Sequence, residues 1–375
     1  MLFTPPGLDE TDEEVLLRIS ELREQLRYQV AVPRRWVGSL RRVSLARAIQ
    51  GSNSIEGYNV SLDDAVEAVE GEEPLTAEGE NLLATVGYRD AMTYILQIAD
   101  DPYLDINNSF IRSLHFMMLK HELSNRPGRW RAGPIYVRDE DTGQNVYEGP
   151  DVALVPGLME ELTLSIKEQE TLRREVRGAM AHLNLTMIHP FRDGNGRMAR
   201  ALQTLLISRD GIIAPELCSI EEYLGRNTPA YYVVLSEVGE GRWQPDRSAR
   251  PWLRFCLTAH VRQAHRLLRR VKETSQLWEL VEDEVQRRGL PERMVDPLWS
   301  AAAGGRIRNV SYRRLAEVSD QIASRDLRVL VEAGLLQPRG EKRGRFYLAT
   351  QALRGFRETV RQSVRVDEHI DPYRQ

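Results

Sequence analysis

Leucine, isoleucine and valine recur at three- and four-residue intervals through EEVLLRISELREQLRYQV and again through GYRDAMTYILQIAD, the repeat that sets apolar side chains on one helix face. Both segments predict amphipathic helices with a single buried stripe. The pattern breaks at SNRPGRWRAGP, where proline and glycine recur. PIYVRD and NVYEGP then flank DTGQ, two short extended stretches around turn-forming residues, so a β-hairpin is predicted near residues 134 to 150.

Helical spacing returns in GLMEELTLSIKEQE and EVRGAMAHLNLTMI. The second must stop near His189, because Pro190 disfavours helical geometry in the residue before it. Another helix is expected from about Asn195 through GRMARALQTLLISRDG to Gly211, and further ones around YYVVLSEVGE and PWLRFCLTAHVRQAHRLLRRVKE. Beyond them SYRRLAEVS, IASRDLRVLVEAGLL and PRGEKRGRFYLA give a helix, a turn, a helix and a basic hairpin, the order of a winged helix-turn-helix. No internal repeat or low-complexity tract interrupts the pattern.

At 375 residues, with 42% hydrophobic and 28% charged side chains, the chain has the composition of an ordinary soluble protein and the length for two or three domains. Cys218 and Cys256 are far apart and lack metal-ligand spacing, which favours reduced thiols in a cytoplasm over a disulfide framework. The opening MLFTPPGLDETDEE has no basic and apolar signal pattern, and no apolar run approaches a membrane span, so neither secretion nor membrane insertion is expected. Net charge is −4, yet from Ala301 onward fifteen Lys and Arg stand against nine Asp and Glu. The tail is therefore suited to a different partner from the body.

The loop HPFRDGNGRMAR, residues 189 to 200, lies between two predicted helices. Gly194, Asn195 and Gly196 let backbone N–H groups at a helix start face an anion without a Cβ in the way. Arg197 and Arg200, three apart, can each fork onto phosphate oxygens. Asp193 adds a hard oxygen ligand suited to Mg²⁺ bridging phosphates, and His189 titrates near neutrality, as a base for an attacking hydroxyl must. The other histidines, His115, His121, His182, His260, His265 and His369, have no such company and read as structural or surface residues.

HPFRDGNGRMAR fits the motif HPFx(D/E)GNGRxxR at all nine of its fixed positions, and in this the chain resembles the Fic family. The resemblance implies a mainly α fold, a Fic-type helical core with a β-hairpin flap, and transfer of AMP from ATP to a protein hydroxyl with release of pyrophosphate. Carried over by position, His189 is the general base, Asp193 the Mg²⁺ ligand and Gly194 to Gly196 the phosphate-binding turn. Asn195 would contact the α-phosphate, while Arg197 and Arg200 would hold the β and γ end. The phosphate-transferring branch of the family has lysine where this chain has Gly196, so the glycine resembles the AMP-transferring majority. Asn227, Tyr231 and Tyr232 in GRNTPAYYVVL stand where relatives contact the nucleoside; equally, the tyrosines could pack in a core.

GSNSIEG, residues 51 to 57, alone reads as the end of a helix, with Ser52 and Glu56 on one face of its last turn and a left-handed Gly57 closing it. Beside the catalytic motif, Ser52, Glu56 and Gly57 resemble the family's inhibitory pattern (S/T)xxxE(G/N), which implies that Glu56 competes with the ATP γ-phosphate for Arg200. The resulting expectation is residues 1–110 as a helical region carrying the inhibitory motif, 111–275 as Fic core and closing helices, and 276–375 as a winged helix. Arg325 and Arg328 would lie on its recognition helix and Lys342, Arg343 and Arg345 on its wing, for DNA or protein. Partners implied are ATP, a target protein with a Tyr, Ser or Thr acceptor, the chain itself as acceptor, and a second copy in a homodimer. The alternatives are AMP removal or another nucleotide transfer on the same fold, or a DNA-binding regulator whose core senses nucleotide without turnover.

Overall fold

The computed structural model describes residues 1–31, 34–138, 145–169, 171–209, 214–365 and 370–374, excepting the side chains of Arg138, Pro215, Glu216 and Arg343. In chain order the helices are α1 (Glu10–Ala31), α2 (Arg35–Ile55), α3 (Leu62–Val69), α4 (Gly79–Ile98) and α5 (Asn108–Leu119). A hairpin of β1 (Tyr136–Arg138) and β2 (Asn145–Glu148) follows, then α6 (Val155–Glu168), α7 (Arg174–Ile188), α8 (Asn195–Ser208), α9 (Pro215–Cys218), α10 (Glu221–Arg226) and α11 (Thr228–Gly239). The long α12 (Arg250–Arg287) leads to α13 (Val295–Ala302), α14 (Asn309–Ala316), α15 (Asp320–Glu332), the pair β3 (Leu336–Arg339) and β4 (Phe346–Ala349), and α16 (Gln351–Ser363). Mainly helical architecture with short hairpins is thus as the sequence predicts.

Two compact units emerge. The first comprises residues 1–27, 42–264 and 369–375, the second 28–41 and 265–368. In the first, α2, α4, α5, α6, α7 and α8 converge on one core that includes Ile49, Tyr88, Met92, Leu114, Met159, Leu185, Phe191 and Leu202. The loop between α7 and α8 is rooted there through Phe191, so it is backed by packed side chains on the inner side.

In the second unit Asp326 is buried at the junction of α14 and α15. It accepts hydrogen bonds from Tyr312 Oη at 2.8 Å and from Arg293 Nε and Nη2 at 2.7 and 3.0 Å. Burial would raise its pKa, but Arg293 outweighs burial and holds it low. β3 and β4 pair antiparallel with Leu336 opposite Ala349 and Arg339 opposite Phe346.

Several predicted boundaries move. GSNSI does end a helix, one of 21 residues. The helix predicted from about Asn195 stops at Ser208 rather than Gly211, and Gly211 lies outside the described residues. β1 and β2 pair with Tyr136 opposite Glu148 and Val137 opposite Tyr147, with an irregularity at Arg138; the DTGQ turn and His369 lie outside the described residues.

Candidate active site

α7 ends where Pro190 requires it. His189 caps it in the left-handed region, φ 50° and ψ 57°, with its N–H on Leu185 O at 3.0 Å. For a residue with a Cβ that conformation costs roughly 1–2 kcal/mol, and it turns the chain at once into the loop. His189 Nδ1 lies 3.2 Å from Thr186 O. A carbonyl only accepts, so Nδ1 carries the proton and Nε2 keeps its lone pair. Burial lowers the imidazole's pKa, opposed by the Thr186 hydrogen bond and by the Glu56 charge, so the ring is neutral at neutral pH.

α8 opens at Gly194, φ 77°, a position where glycine is required twice. Its backbone is left-handed, and an added Cβ would fall 2.5 Å from Leu119 Cδ1. Asp193 Oδ1 accepts from Gly194 N at 2.6 Å, while Oδ2 has only longer contacts with Asn125 Nδ2 at 3.3 Å and Arg197 Nη2 at 3.5 Å. The carboxylate is 34% exposed and has room for a further ligand. Asn195 does something the sequence reading missed: its side chain accepts from Phe191 N at 2.9 Å and donates to Phe191 O at 3.0 Å. Its amide closes the loop, and what it offers an anion is its backbone N–H in the first turn.

Arg197 and Arg200 are both 1% exposed. Arg197 Nε and Nη1 and Arg200 Nη1 are buried without a hydrogen-bond partner among the described residues. Buried cationic donors left open are costly, and they mark where an anion belongs. Tyr58 lies against Arg197, its ring centroid 5.0 Å from the guanidinium carbon.

α2 delivers the counter-charge. Gly57 N donates to Ser54 O at 3.2 Å and Tyr58 N to Asn53 O at 3.0 Å, with Gly57 at φ 82°, which is the Schellman closure of a helix. Glu56 is therefore the C-cap residue. From there its Oε1 takes Arg200 Nη2 at 2.6 Å, while Ser52 Oγ accepts Arg200 Nε at 2.8 Å and Ser52 O accepts Nη2 at 2.9 Å. An added Cβ on Gly196 would fall 2.4 Å from Glu56 Oε1, so the carboxylate rests on the first turn of α8. Burial would raise the Glu56 pKa, but Arg200 and Arg197 overcome it and hold the group below its usual value.

α2 reaches this position through backbone proximity to α10. An added Cβ on Gly51 would lie 2.5 Å from Glu221 O, and one on Gly225 2.5 Å from Gly51 Cα. Behind the contact, Glu221 accepts from Tyr88 Oη at 2.8 Å and Thr204 Oγ1 at 3.1 Å, and burial raises its pKa.

Two further groups escaped the sequence reading. His115 stacks on Phe191 with ring centroids 3.6 Å apart, accepts Gly128 N on Nδ1 at 2.9 Å, and so donates from Nε2 to Asp193 O at 2.8 Å. Burial takes its pKa down to about 4, leaving it neutral. Arg131 binds the loop to the base of the hairpin: its N–H donates to Pro190 O at 2.8 Å, Nε to His189 O at 3.0 Å, Nη1 to Gly133 O at 2.8 Å, and Nη2 to Pro150 O. Tyr147 on β2 adds a bond to Met187 O at 2.7 Å. Neither His115 nor Arg131 sits in a recognisable motif, so only the folded arrangement reveals them.

The sequence model of the Fic/DOC family covers this loop and the helices around it. Residues 105–207 match that family. A protein adenylyltransferase Fic from Nematostella vectensis is 27% identical over 256 residues, 67% of this chain and 55% of the relative. The Drosophila melanogaster protein of the same name is 32% identical over 156 residues, 40% of this chain and 27% of the relative. The chain thus spans about half of the first relative and a smaller part of the second. Among solved structures, a Fic family protein from Desulfovibrio desulfuricans G20 aligns at a TM-score of 0.58 with 21% identity, covering 92% of this chain and 98% of that one. Fic-1 from C. elegans, residues 134–508, aligns at 0.54 with 21% identity over 68% and 72% of the two chains. The fold is the Fic fold.

The residues expected at the nucleoside fare differently from those expected at the phosphates. Tyr231 is 1% exposed and hydrogen-bonded to His182 Nε2 at 3.0 Å, so it is a core residue and unavailable to a base. Tyr232 is 47% exposed and donates to Ile55 O at 3.1 Å, beside Glu56. Asn227 caps α11 and donates to Tyr223 O at 2.8 Å.

Proposed function

We propose that the chain is an autoinhibited protein adenylyltransferase, moving AMP from ATP to a Tyr, Ser or Thr hydroxyl of a target protein or of itself. The observation that carries this reading is the carboxylate of Glu56 lying on Arg200 at the N-terminal turn of α8, 2.6 Å from Nη2. An anion already occupies the position that suits a nucleotide phosphate. His189, neutral and with a free Nε2, is the base that a phosphate sensor without turnover would have no need of.

In the reaction, the acceptor oxygen forms a bond to the α-phosphorus as the bond from that phosphorus to the α–β bridging oxygen breaks. Pyrophosphate leaves with the electron pair, and the hydroxyl proton passes to His189 Nε2. Arg197 and Arg200 bind the β and γ end through their open nitrogens, and the first-turn N–H groups of Asn195 to Arg197 face the chain of phosphates. Asp193 would hold Mg²⁺. Its half-free carboxylate fits an ion completed by phosphates and water, since no group of three metal-ligating side chains occurs among the described residues. Bound there, the ion would offset phosphate charge.

Glu56 is the brake in this scheme: while it fills the Arg200 fork the γ-phosphate loses its anchor, and misalignment of the α-phosphate suppresses transfer. The hairpin, fastened to the His189 backbone by Arg131, suits an extended target segment added along its edge. We assign α14, α15 and the β3–β4 hairpin to a winged helix, in which Arg325, Arg328, Lys342 and Arg345 are exposed. Salt-dependent duplex-DNA binding, lost in Arg325→Gln/Arg328→Gln, tests its DNA partner.

The enzyme reading is tested with ATP labelled at either the α- or the γ-phosphate, offered with Mg²⁺ to wild type, Glu56→Gly and Glu56→Gly/His189→Ala. Protein label from α-labelled ATP alone, strongest in Glu56→Gly and absent in the double variant, is the expected result. Label from the γ position alone makes the chain a kinase.

A further inference from the structure

The second unit contains a cavity of about 360 Å³ formed by the end of α13, the Gly304–Gly305 turn, β4 and one face of α16. Arg354, Arg357 and Arg361, spaced for one helix face, line it together with a single carboxylate, Glu358. We propose that this cavity binds the phosphate group of a small ligand, either inorganic phosphate or a phosphate monoester.

Three features carry the assignment. None of the three guanidinium groups makes a hydrogen bond or ion pair among the described residues, Glu358 included; Arg354 and Arg361 are exposed, but Arg357 is half-buried. Charge placed in a partly dry site without a counter-ion is costly, and a bound anion removes the cost. Second, the Arg357 guanidinium is seated by the backbone: Gly304 has φ 101°, and an added Cβ there would fall 2.4 Å from Arg357 Nη1. The turn is cut to admit that side chain. Third, burial and then the Arg361 charge depress the Arg357 pKa, opposed by the Glu273 charge, so the Arg357 and Arg361 guanidiniums repel each other. Among the side chains lining the cavity, three cations less one carboxylate leave a charge of +2, suited to a phosphate dianion, and guanidinium forks fit its oxygens.

A simpler role for Arg357 is a cation at the carbonyl end of α13. It makes no hydrogen bond to those carbonyls, and the role leaves Arg354 and Arg361 unexplained. A nucleic-acid backbone is disfavoured by the concavity, which suits a terminal phosphate better than a duplex.

The test is phenylglyoxal labelling of the full chain, read by peptide mass spectrometry, with inorganic phosphate, AMP or duplex DNA as protectant. Protection of Arg357 and Arg361 by phosphate or AMP up to about 1 mM is the expected result. Protection by both assigns the phosphate group alone, whereas AMP alone selects a monoester. In a thermal melt, phosphate raises the wild-type Tm but not that of Arg357→Gln, and the unliganded variant melts no lower than wild type because a repulsion has been removed. Arg357→Lys keeps the charge without the fork and weakens protection of Arg361 about ten-fold. No protection by either small anion overturns the proposal, as does protection by DNA alone. A lower Tm for unliganded Arg357→Gln without protection would instead make Arg357 a structural cation.

Discussion

Glu56→Gly is the perturbation from which most can be computed. The Glu56–Arg200 contact is a charge-assisted hydrogen bond of 2.6 Å to a guanidinium that is itself buried, while the carboxylate is 23% exposed. Such bonds contribute about 1.5–3 kcal/mol net. If ATP must displace that contact before its γ-phosphate is anchored, removing it lowers the barrier by a similar amount, roughly ten- to a hundred-and-fifty-fold in rate. Arg200 should not collapse in the variant, because Ser52 still accepts from Nε at 2.8 Å and, through its carbonyl, from Nη2 at 2.9 Å. The fork is released in an orientation ready for phosphate. Glu56→Gln, which keeps an acceptor without charge, is expected between wild type and Glu56→Gly, since neutral hydrogen bonds are about half as strong. The assay is initial-rate transfer from α-labelled ATP at several ATP concentrations, paired with thermal melts. Without nucleotide, Glu56→Gly melts below wild type because Arg200 has lost its counter-charge, and ATP restores the loss. Equal transfer rates in wild type and Glu56→Gly at every ATP concentration would refute the competition argument.

Four other outcomes follow from the same geometry. In Glu56→Gly, the acid limb of kcat/KM falls below pH 6.5: burial already lowers the His189 pKa, and deleting the Glu56 charge that opposes it lowers the value further, so the base stays unprotonated to lower pH; an acid limb above 6.5 would contradict this. Gly51→Ala, whose new Cβ would meet Glu221 O at 2.5 Å, should push α2 outward, raising basal transfer while lowering Tm, measured by label incorporation and melting. His115→Ala should lower kcat about a hundred-fold in the Glu56→Gly background, because the Asp193 carbonyl loses its donor and the loop its stacking partner; an unchanged kcat would reduce His115 to packing. Asp193→Ala, or chelation of Mg²⁺, should abolish transfer while a nucleotide-binding titration retains weak ATP affinity through the arginines.

The clustering of the residues expected at the phosphates was legible in the sequence, while the surroundings of those expected at the nucleoside were not. His189, Asp193, Gly194, Arg197 and Arg200 lie within twelve consecutive residues, and a loop that short cannot scatter them. Ser52 and Glu56 were also readable, since four residues along a helix are neighbours whatever the helix packs against. Tyr231 and Tyr232 expose the limit: adjacent on α11, they face opposite environments, one hydrogen-bonded to His182 in the core and the other reaching Ile55 O. Spacing within one element does not say which face the rest of the fold will cover. His115 and Arg131 were invisible for a related reason. Each acts through a backbone carbonyl distant in sequence, a partner that leaves no residue signature.

The end of α2 is where local preference and the fold conflict most. Gly51, Ser52, Asn53 and Ser54 are poor helix formers, yet all four are helical, with α2 continuing to Ile55. The fold overrides that preference at residues with specific partners: Gly51 passes the α10 backbone, Ser52 holds Arg200, and the Asn53 amide returns to Ile49 O at 3.1 Å. Glu56 adds a second conflict, an acidic side chain at the carbonyl end of a helix, where the dipole disfavours it by about 0.3–1 kcal/mol. Local propensity and dipole thus both oppose the closed arrangement, and the Arg200 contacts sustain it. A phosphate that takes Arg200 therefore removes the contact that holds an otherwise unfavourable helix end in place. On this argument the release of α2 requires only competition for one guanidinium, which a nucleotide can supply at the site where it reacts.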